Sequence, residues 1–138
     1  MNFTHVDTRD TSLLKIFISK LGASSNTFRY FESRDLDSCL PNHEKTILLV
    51  DHSKPIGYGH LDRDRSDKKI WLGIALLKDF TGKGFGKKIM RELLEDSSED
   101  IYLSVDTANI AGQKLYLKFG FEIIKSNSII IYMKKSYA

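Results

Sequence analysis

A cluster of glycines carries the clearest chemistry in this sequence. Residues 81–88 read Thr-Gly-Lys-Gly-Phe-Gly-Lys-Lys, with three glycines in five positions. Glycine loses much conformational entropy on folding, so such a cluster indicates backbone that bends tightly or lies against a ligand. If the segment opens a helix, unpaired N–H groups and the helix dipole form an anion site, and three lysines add positive charge. The predicted phosphate-binding residues are Gly82, Lys83, Gly84, Phe85, Gly86 and Lys87. The alternative is a glycine-rich turn without a ligand.

A second candidate group lies on one face of a predicted strand. Tyr58, His60 and Asp62 alternate along the chain, so their side chains point the same way. An imidazole with a pKa of about 6.5 can take a proton at neutral pH, and Asp62 would orient it or bind a cation directly. The competing interpretation is a structural histidine beside a hairpin-end carboxylate. His43, which follows Pro41 in a predicted loop, is a weaker candidate base.

Hydrophobic periodicity predicts the elements that position these groups. Apolar residues at helical spacing predict a helix from Leu13 to Leu21, with Gly22 as its stop signal, and residues 23–27 indicate a loop. The aromatic segment 28–31 has no clear pattern, and a short helix follows it up to Pro41. The further predicted elements are strands 46–51, 56–62 and 70–77, helix 87–95, strand 101–105, helix 109–119, and strands 121–125 and 129–134.

This order, α–β–β–β–α–β–α–β–β, predicts one α/β domain of the α+β type over residues 1–138. Residues 70–77 are apolar on both faces, which favours a central strand. Gly120 follows the helix over 109–119, a typical residue just past a helix C-terminus. We see no internal repeat, linker or low-complexity segment.

Composition narrows the class of protein. The 138 residues carry 21 basic and 18 acidic side chains, a net charge of +3, without a block of five like charges, which argues against nucleic acid as a partner. A lone cysteine, Cys39, excludes an intramolecular disulfide framework. Neither a signal peptide nor a membrane-length apolar run is present, so we expect a soluble, cytoplasmic protein with no membrane partner. The four histidines show no metal-ligand spacing, and we expect no metal.

Two ordered motifs resemble one known family. The strand over 70–77, the loop over 82–86 and the next helix resemble the acetyl-CoA-binding motif of the GNAT N-acetyltransferase superfamily. A second family motif is matched by Val105, Asn109, Leu115, Tyr116 and the closing Phe119-Gly120-Phe121. The resemblance covers about residues 46–133. It implies a central mixed, mostly antiparallel sheet flanked by helices, with acetyl-CoA as acetyl donor. The family usually has Arg or Gln where this chain has Thr81, which leaves room for weaker CoA binding.

The resemblance also implies roles for residues. Backbone groups from Leu76 to Lys78 would hold the pantetheine arm, and the Leu76 amide would support the thioester oxygen as it gains charge. Asn109 would contact the cofactor or cap its helix. Tyr116 lies seven residues further on, close to two helical turns, so both share a face. A phenol can protonate a departing thiolate, which makes Tyr116 the predicted general acid; the alternative is a core aromatic.

The acceptor site is implied to lie near residues 22–45. There, an aromatic and cationic patch could stack on a ring and contact an anion. The predicted substrate-binding residues are Arg29, Tyr30, His43 and Tyr58. This favours an enzyme that acetylates a primary amine of a small molecule, with a nucleotide-linked amino sugar as one candidate. A peptide or protein amine, a non-catalytic acyl-CoA-binding domain and a homodimer, common among small family members, stay open.

Overall fold

The computed structural model describes residues 1–22, 28–32 and 34–137, so the loop predicted over 23–27 lies outside the described residues. The strands are β1 (Asn2–His5), β2 (His43–Asp51), β3 (Lys54–Arg63), β4 (Ile70–Leu76), β5 (Ile101–Asp106), β6 (Glu122–Ser126) and β7 (Ile130–Lys135). The helices are α1 (Ser12–Ser19), α2 (Leu36–Cys39), α3 (Phe85–Leu94) and α4 (Ile110–Lys118), with 3₁₀ turns at Leu40–Asn42 and Lys78–Phe80.

Among the described residues the strands form one mixed sheet, in the order β1-β2-β3-β4-β5-β7-β6. Each neighbouring pair is antiparallel except β4 and β5, which run parallel. The strand predicted at the centre, β4, has three strands on either side. The predicted fold class, a mixed and mostly antiparallel sheet flanked by helices, is therefore confirmed.

Helices cover both faces of the sheet, and each face has its own apolar core. On one face, Ile89 and Leu93 of α3 lie so close to β3 that a Cβ built on Gly59 would come within 2.8 Å of both side chains. On the other face, Phe17 of α1 stacks on Tyr58 of β3, with ring centroids 6.0 Å apart. The predicted alternation along β3, with glycines on one face and Tyr58 on the other, is confirmed.

Two predictions about the N-terminal half are wrong. A strand, β1, precedes the first helix and pairs antiparallel with β2, where Asn2 lies opposite Val50. Three of its four residues are exposed, so the strand lacks the alternation of apolar and polar residues by which a half-buried strand is predicted. Pairing with the longer β2 stabilises it instead. His43, predicted in a loop, is the first residue of β2, because the 3₁₀ turn at Leu40–Asn42 ends just before it.

β4 and β5 separate soon after they meet. Both strands lie wholly within the described ranges, and their pairing consists of Ile70 with Ile101 and Trp71 with Tyr102. β5 continues instead along β7, from Ile101 to Asp106. A wedge-shaped gap therefore opens between the carboxyl ends of two neighbouring strands, where α/β folds commonly bind ligands.

We expect the α3 packing to dominate stability on its face of the sheet. Leu93 is fully buried, whereas Leu117 of α4 is 51% exposed. Leu93→Ala should lower the free energy of unfolding by about 2–5 kcal/mol, because it leaves a cavity. Leu117→Ala, the matched control, should change it by less than about 0.5 kcal/mol. Urea denaturation measures both values, and a similar loss in the two variants would contradict this view of the core.

Candidate active site

The glycine loop joins β4 to α3 in a conformation that few side chains adopt. Gly82 and Gly84 have φ angles of 73° and 85°, and Gly84 is the N-cap of α3. A Cβ on either would meet nothing within 4 Å, so packing against protein does not explain these glycines. The left-handed backbone explains them, since L side chains are strained there. The third glycine differs, because a Cβ on Gly86 would lie 3.1 Å from Leu115 of α4.

The loop presents amides and positive charge to one side. The amides of Phe85, Gly86 and Lys87 begin α3 and have no intrahelical acceptor, and they lie at the positive end of the helix dipole, where an anion would be stabilised. Lys87 lines the adjoining cleft. The Thr81 hydroxyl donates to the Lys78 carbonyl at 2.8 Å, which closes the preceding 3₁₀ turn. These residues fit a pyrophosphate group.

Alternate residues of β4 direct their backbone N–H and C=O groups to opposite sides, and this decides which amides face the gap. The amide of Leu77 donates to the Ile56 carbonyl at 3.0 Å, so Leu77 and every second residue before it bond to β3. Ile74 and Leu76 therefore point their N–H and C=O groups the other way, toward the β5 side. β5 has already diverged there, and these groups line the gap. The predicted use of the Leu76 amide is compatible with this geometry.

One cleft of about 770 Å³ joins the loop, the gap and the N-terminal segment. Of the predicted site residues, it is lined by Arg29, Tyr30, His60, Asp62, Leu76, Gly82, Gly84, Gly86, Lys87, Asn109 and Tyr116. Five other predicted residues lie outside its lining: His43, Tyr58, Lys78, Lys83 and Phe85. The cleft thus brings together residues from both ends of the chain.

Tyr116 lies on α4 at the wall of the cleft. Its side chain is 7% exposed and packs edge-on against Phe121, with ring centroids 6.2 Å apart. Its hydroxyl makes no hydrogen bond with any described residue, and burial raises the pKa of Tyr116 above its usual value. The phenol therefore keeps its proton at neutral pH and has it available for a ligand.

Asn109 caps the helix that carries Tyr116. Its side-chain oxygen accepts a hydrogen bond from the Gly112 amide at 2.9 Å, so the predicted N-cap is confirmed. A Cβ on Gly112 would lie 2.7 Å from the Asn109 amide nitrogen, which means that Gly112 makes room for the cap. The contact of Asn109 with a cofactor stays a prediction.

His60 is buried, neutral and held in one tautomer. The Tyr58 hydroxyl lies 2.6 Å from His60 Nδ1, and within the described part of the chain Tyr58 has no other hydrogen-bond partner. Because a fully buried phenol must place its proton, Tyr58 donates to Nδ1 and Nε2 carries the ring proton. Burial lowers the pKa of His60 well below its usual range. Nε2 lies over Gly73, where an added Cβ would be 2.5 Å away.

Asp62 follows His60 on the same face and is in contact with Tyr30. The Tyr30 hydroxyl donates to Asp62 Oδ2 at 2.7 Å and also lies 2.8 Å from His43 Nε2. Burial lowers the pKa of His43 to about 4, so this imidazole is neutral at pH 7. Asp62 lines the cleft, and its Oδ1 accepts no hydrogen bond from the described residues.

Several residues of the cleft have no motif that would reveal them. The Arg29 guanidinium forms two hydrogen bonds, of 3.0 and 2.9 Å, with the carboxylate of Asp106 at the end of β5. Trp71 and Gly73 of β4 also line the cleft. A glycine inside an apolar strand often marks a site where a ligand or another part of the chain approaches closely. Of these residues, Gly73 is therefore the one that the sequence could have indicated.

Comparison with known proteins identifies the family. A family model described as the acetyltransferase (GNAT) family matches residues 11–121. The chain belongs to the GNAT acetyltransferase family. As a member of this family, it is an N-acetyltransferase that uses acetyl-CoA as acetyl donor. The glycine loop and the gap beside β4 are the groups that fit this donor.

Two sequence relatives come from Bacillus subtilis. A probable spermine N(1)-acetyltransferase of the natto subspecies is 30% identical over 122 residues, covering 76% of this chain and 79% of the relative. A spermine/spermidine N(1)-acetyltransferase of Bacillus subtilis strain 168 is 29% identical over the same length and with the same coverage.

Solved structures share the fold at low identity. A putative acetyltransferase from Salmonella typhimurium, solved with its cofactor acetyl-CoA, has a TM-score of 0.78 and 13% identity, covering all of this chain and 94% of its own. An N-acetyltransferase from Staphylococcus aureus has a TM-score of 0.75 and 16% identity over the full length of both chains. These neighbours support the GNAT fold.

The described residues contain neither a metal-binding cluster nor a membrane-length helix. No group of three or more His, Cys, Asp or Glu side chains in ranges 1–22, 28–32 and 34–137 is placed to hold a metal ion. In the same ranges, no helix has the length and apolar character needed to cross a membrane.

The glycine loop predicts a selective defect in donor binding. Gly84→Ala should raise the Kd for CoA by about tenfold or more, because a methyl group enters the ligand side and the strained backbone relaxes. Gly22→Ala is the matched control: its φ is 50°, and a Cβ there also meets nothing within 4 Å, but it is not part of the loop. Isothermal titration with CoA measures both, and an equal effect of the two variants would contradict a phosphate site at the loop.

Proposed function

We propose that this enzyme acetylates a primary amine of a small, positively charged molecule. The observation that carries the proposal is the position of Asp62, which lines the same cleft as the glycine loop and Tyr116. Tyr30 engages Asp62 Oδ2, and no described residue donates a hydrogen bond to Oδ1. An ammonium group is attracted to such a carboxylate, and the donor thioester would reach the same cleft along β4. One cleft would thus hold both substrates.

The charges along the cleft support a cationic acceptor. Its lysines are Lys87, Lys114 and Lys118, which lie on α3 and α4 beside the predicted pyrophosphate site. Around the N-terminal segment and the ends of β3 and β5, the lining contains two arginines and three aspartates: Arg29, Arg34, Asp62, Asp64 and Asp106. Arg29 is already paired with Asp106. The acceptor end therefore has a net negative charge.

The reaction follows from the groups in the cleft. Asp62 would bind the acceptor ammonium and take one of its protons, directly or through water, so that the amine becomes nucleophilic. The amine nitrogen attacks the thioester carbon, a C–N bond forms, and the Leu76 amide supports the oxygen that gains charge. The C–S bond then breaks, and Tyr116 gives its proton to the thiolate and regains one from solvent.

In this proposal His60 is a hydrogen-bond donor at the cleft wall and not the general base. Base catalysis would need a lone pair on Nε2, but the hydrogen bond from Tyr58 puts the proton there. We therefore favour Asp62 as the base and neutral His60 as a donor at the cleft wall. A base function of His60 stays a prediction. Tyr58 would support His60 from beneath and would not touch the substrate.

Polyamines are the preferred acceptor class. The two Bacillus subtilis relatives are named as spermine or spermine/spermidine N(1)-acetyltransferases. Such molecules are small, carry primary amines and are polycations, which agrees with the acidic acceptor end. A nucleotide-linked amino sugar, the candidate suggested by the aromatic and cationic patch at 28–31, and a peptide amine are the competing substrates. We propose that the protein works in the cytoplasm on such a metabolite.

A direct test compares acceptors in a thiol-release assay. The panel contains spermine, spermidine, a nucleotide-linked amino sugar and a peptide with a free N-terminus. We expect the highest kcat/KM with a polyamine, and Asp62→Asn should raise its KM at least tenfold, because the charge that holds the ammonium is lost. Asp37→Asn, on exposed α2 outside the cleft, is the charge-matched control. A preference for the peptide, or equal effects of both substitutions, would refute the proposal.

The role of Tyr116 predicts a loss of turnover with little loss of binding. Tyr116→Phe should lower kcat by about 10²–10⁴-fold, because general acid catalysis is lost. The Kd for CoA should be unchanged, and the variant should fold, since the hydroxyl has no described partner. Tyr132→Phe, outside the cleft on β7, is the control and should keep wild-type kcat. Full activity of Tyr116→Phe would sink the assignment.

A further inference from the structure

Behind Asp62 lies a chain of partly buried hydrogen bonds that the reaction above does not use. It runs from Asp62 Oδ2 to the Tyr30 hydroxyl, at 2.7 Å, and from there to His43 Nε2, at 2.8 Å. His43 Nδ1 then lies 2.8 Å from the Thr46 hydroxyl. We propose that this chain fixes Asp62 for the acceptor ammonium and that Tyr30, His43 and Thr46 are positioning residues. The inference rests on the acceptor role proposed for Asp62.

The chemistry of the groups sets the direction of every bond. An ionised carboxylate can only accept, so the single proton of Tyr30 goes to Asp62. The Tyr30 oxygen then accepts from His43 Nε2–H, and Nδ1, which is bare in a neutral imidazole, accepts from the Thr46 hydroxyl. Each donor points toward Asp62. The chain therefore holds Asp62 as an acceptor with one oxygen engaged, and it would leave the other for the acceptor ammonium.

The protonation states keep this direction fixed near neutral pH. Burial, followed by the hydrogen bond to Asp62, raises the pKa of Tyr30, so the phenol keeps its proton. Burial lowers the pKa of His43 to about 4, so its ring stays neutral and Nδ1 stays free to accept. Thr46 is 5% exposed, and its hydroxyl lies 2.8 Å from His43 Nδ1.

Other contacts hold the Tyr30 ring in place. The ring lies 4.2 Å from the ring of His60, centroid to centroid. The Arg34 guanidinium lies 4.2 Å above the ring centroid, and its Nη1 donates to the Tyr30 carbonyl at 2.8 Å. The phenol therefore approaches Asp62 from a fixed side.

The far end of the chain leaves the acceptor cleft. His43 and Thr46 line a second cleft, of about 610 Å³, and are absent from the lining of the first. Neither side chain would contact a substrate bound beside Asp62. This changes the interpretation of His43, which was predicted as a base or a substrate-binding residue: its place in the structure fits a support for Tyr30.

The experiment separates positioning from direct binding. The acceptor is spermidine, or the panel amine with the highest kcat/KM. Tyr30→Phe keeps the ring and removes the donor, and it should raise the amine KM about tenfold with the KM for acetyl-CoA unchanged. Thr46 lies two hydrogen bonds beyond Tyr30 in the chain, so Thr46→Val should raise the amine KM by a smaller factor, about threefold. Thr46→Ser keeps the hydroxyl and should keep the wild-type KM. Thermal melts check that each variant folds.

A double-mutant cycle gives the decisive readout. If Tyr30 acts through Asp62, Tyr30→Phe raises the amine KM in the wild type and has no further effect in an Asp62→Ala background. The same fold-increase in both backgrounds would mean that Tyr30 binds substrate itself, and would overturn the inference. A raised KM in Asp62→Ala with an unchanged KM in Tyr30→Phe would overturn this inference alone. An unchanged amine KM in Asp62→Ala would overturn the acceptor role of Asp62 as well.

Discussion

The separation of β4 from β5 is the constraint on which the rest of the structure depends. Backbone N–H and C=O groups inside a protein need partners, and a sheet normally supplies them from the next strand. Here the next strand is β5, and it turns away after Tyr102 to follow β7. Ile74 and Leu76 are left with donors and acceptors along a gap that a ligand rich in amides can complete, much as an added strand would.

The gap also connects the two faces of the sheet, and this arranges the reaction in space. The glycine loop, α3 and Tyr116 belong to one face, whereas His60, Asp62 and Tyr30 belong to the other. The donor can therefore enter from one face and the acceptor from the other, with the thioester between them. The proposed general base, Asp62, and the proposed general acid, Tyr116, would thereby be kept apart, so a proton need not pass directly between them.

The sequence predicted those features that depend on the local backbone conformation around a residue. The glycine cluster indicated the tight loop between β4 and α3, where Gly82 and Gly84 have left-handed backbone, and the period of two along β3 placed His60 and Asp62 on one face. Contacts between distant segments had no such pattern. Arg29 and Asp106 are separated by 77 positions, and Tyr30 and Asp62 by 32. The neutral state of His60 arises from burial under several elements, and main-chain donors such as that of Leu76 carry no residue signature at all.

The backbone N–H groups of β4 affect how the substrate range of such an enzyme can change in evolution. A peptide amide is the same whichever side chain its residue carries, so substitutions along β4 would leave the predicted backbone contacts with acetyl-CoA intact. The acceptor end is different, because it depends on individual side chains. Substrate range can thus change in evolution without rebuilding the CoA site. A neighbour with 13% identity and a TM-score of 0.78 shows how far sequences can drift while the architecture stays constant.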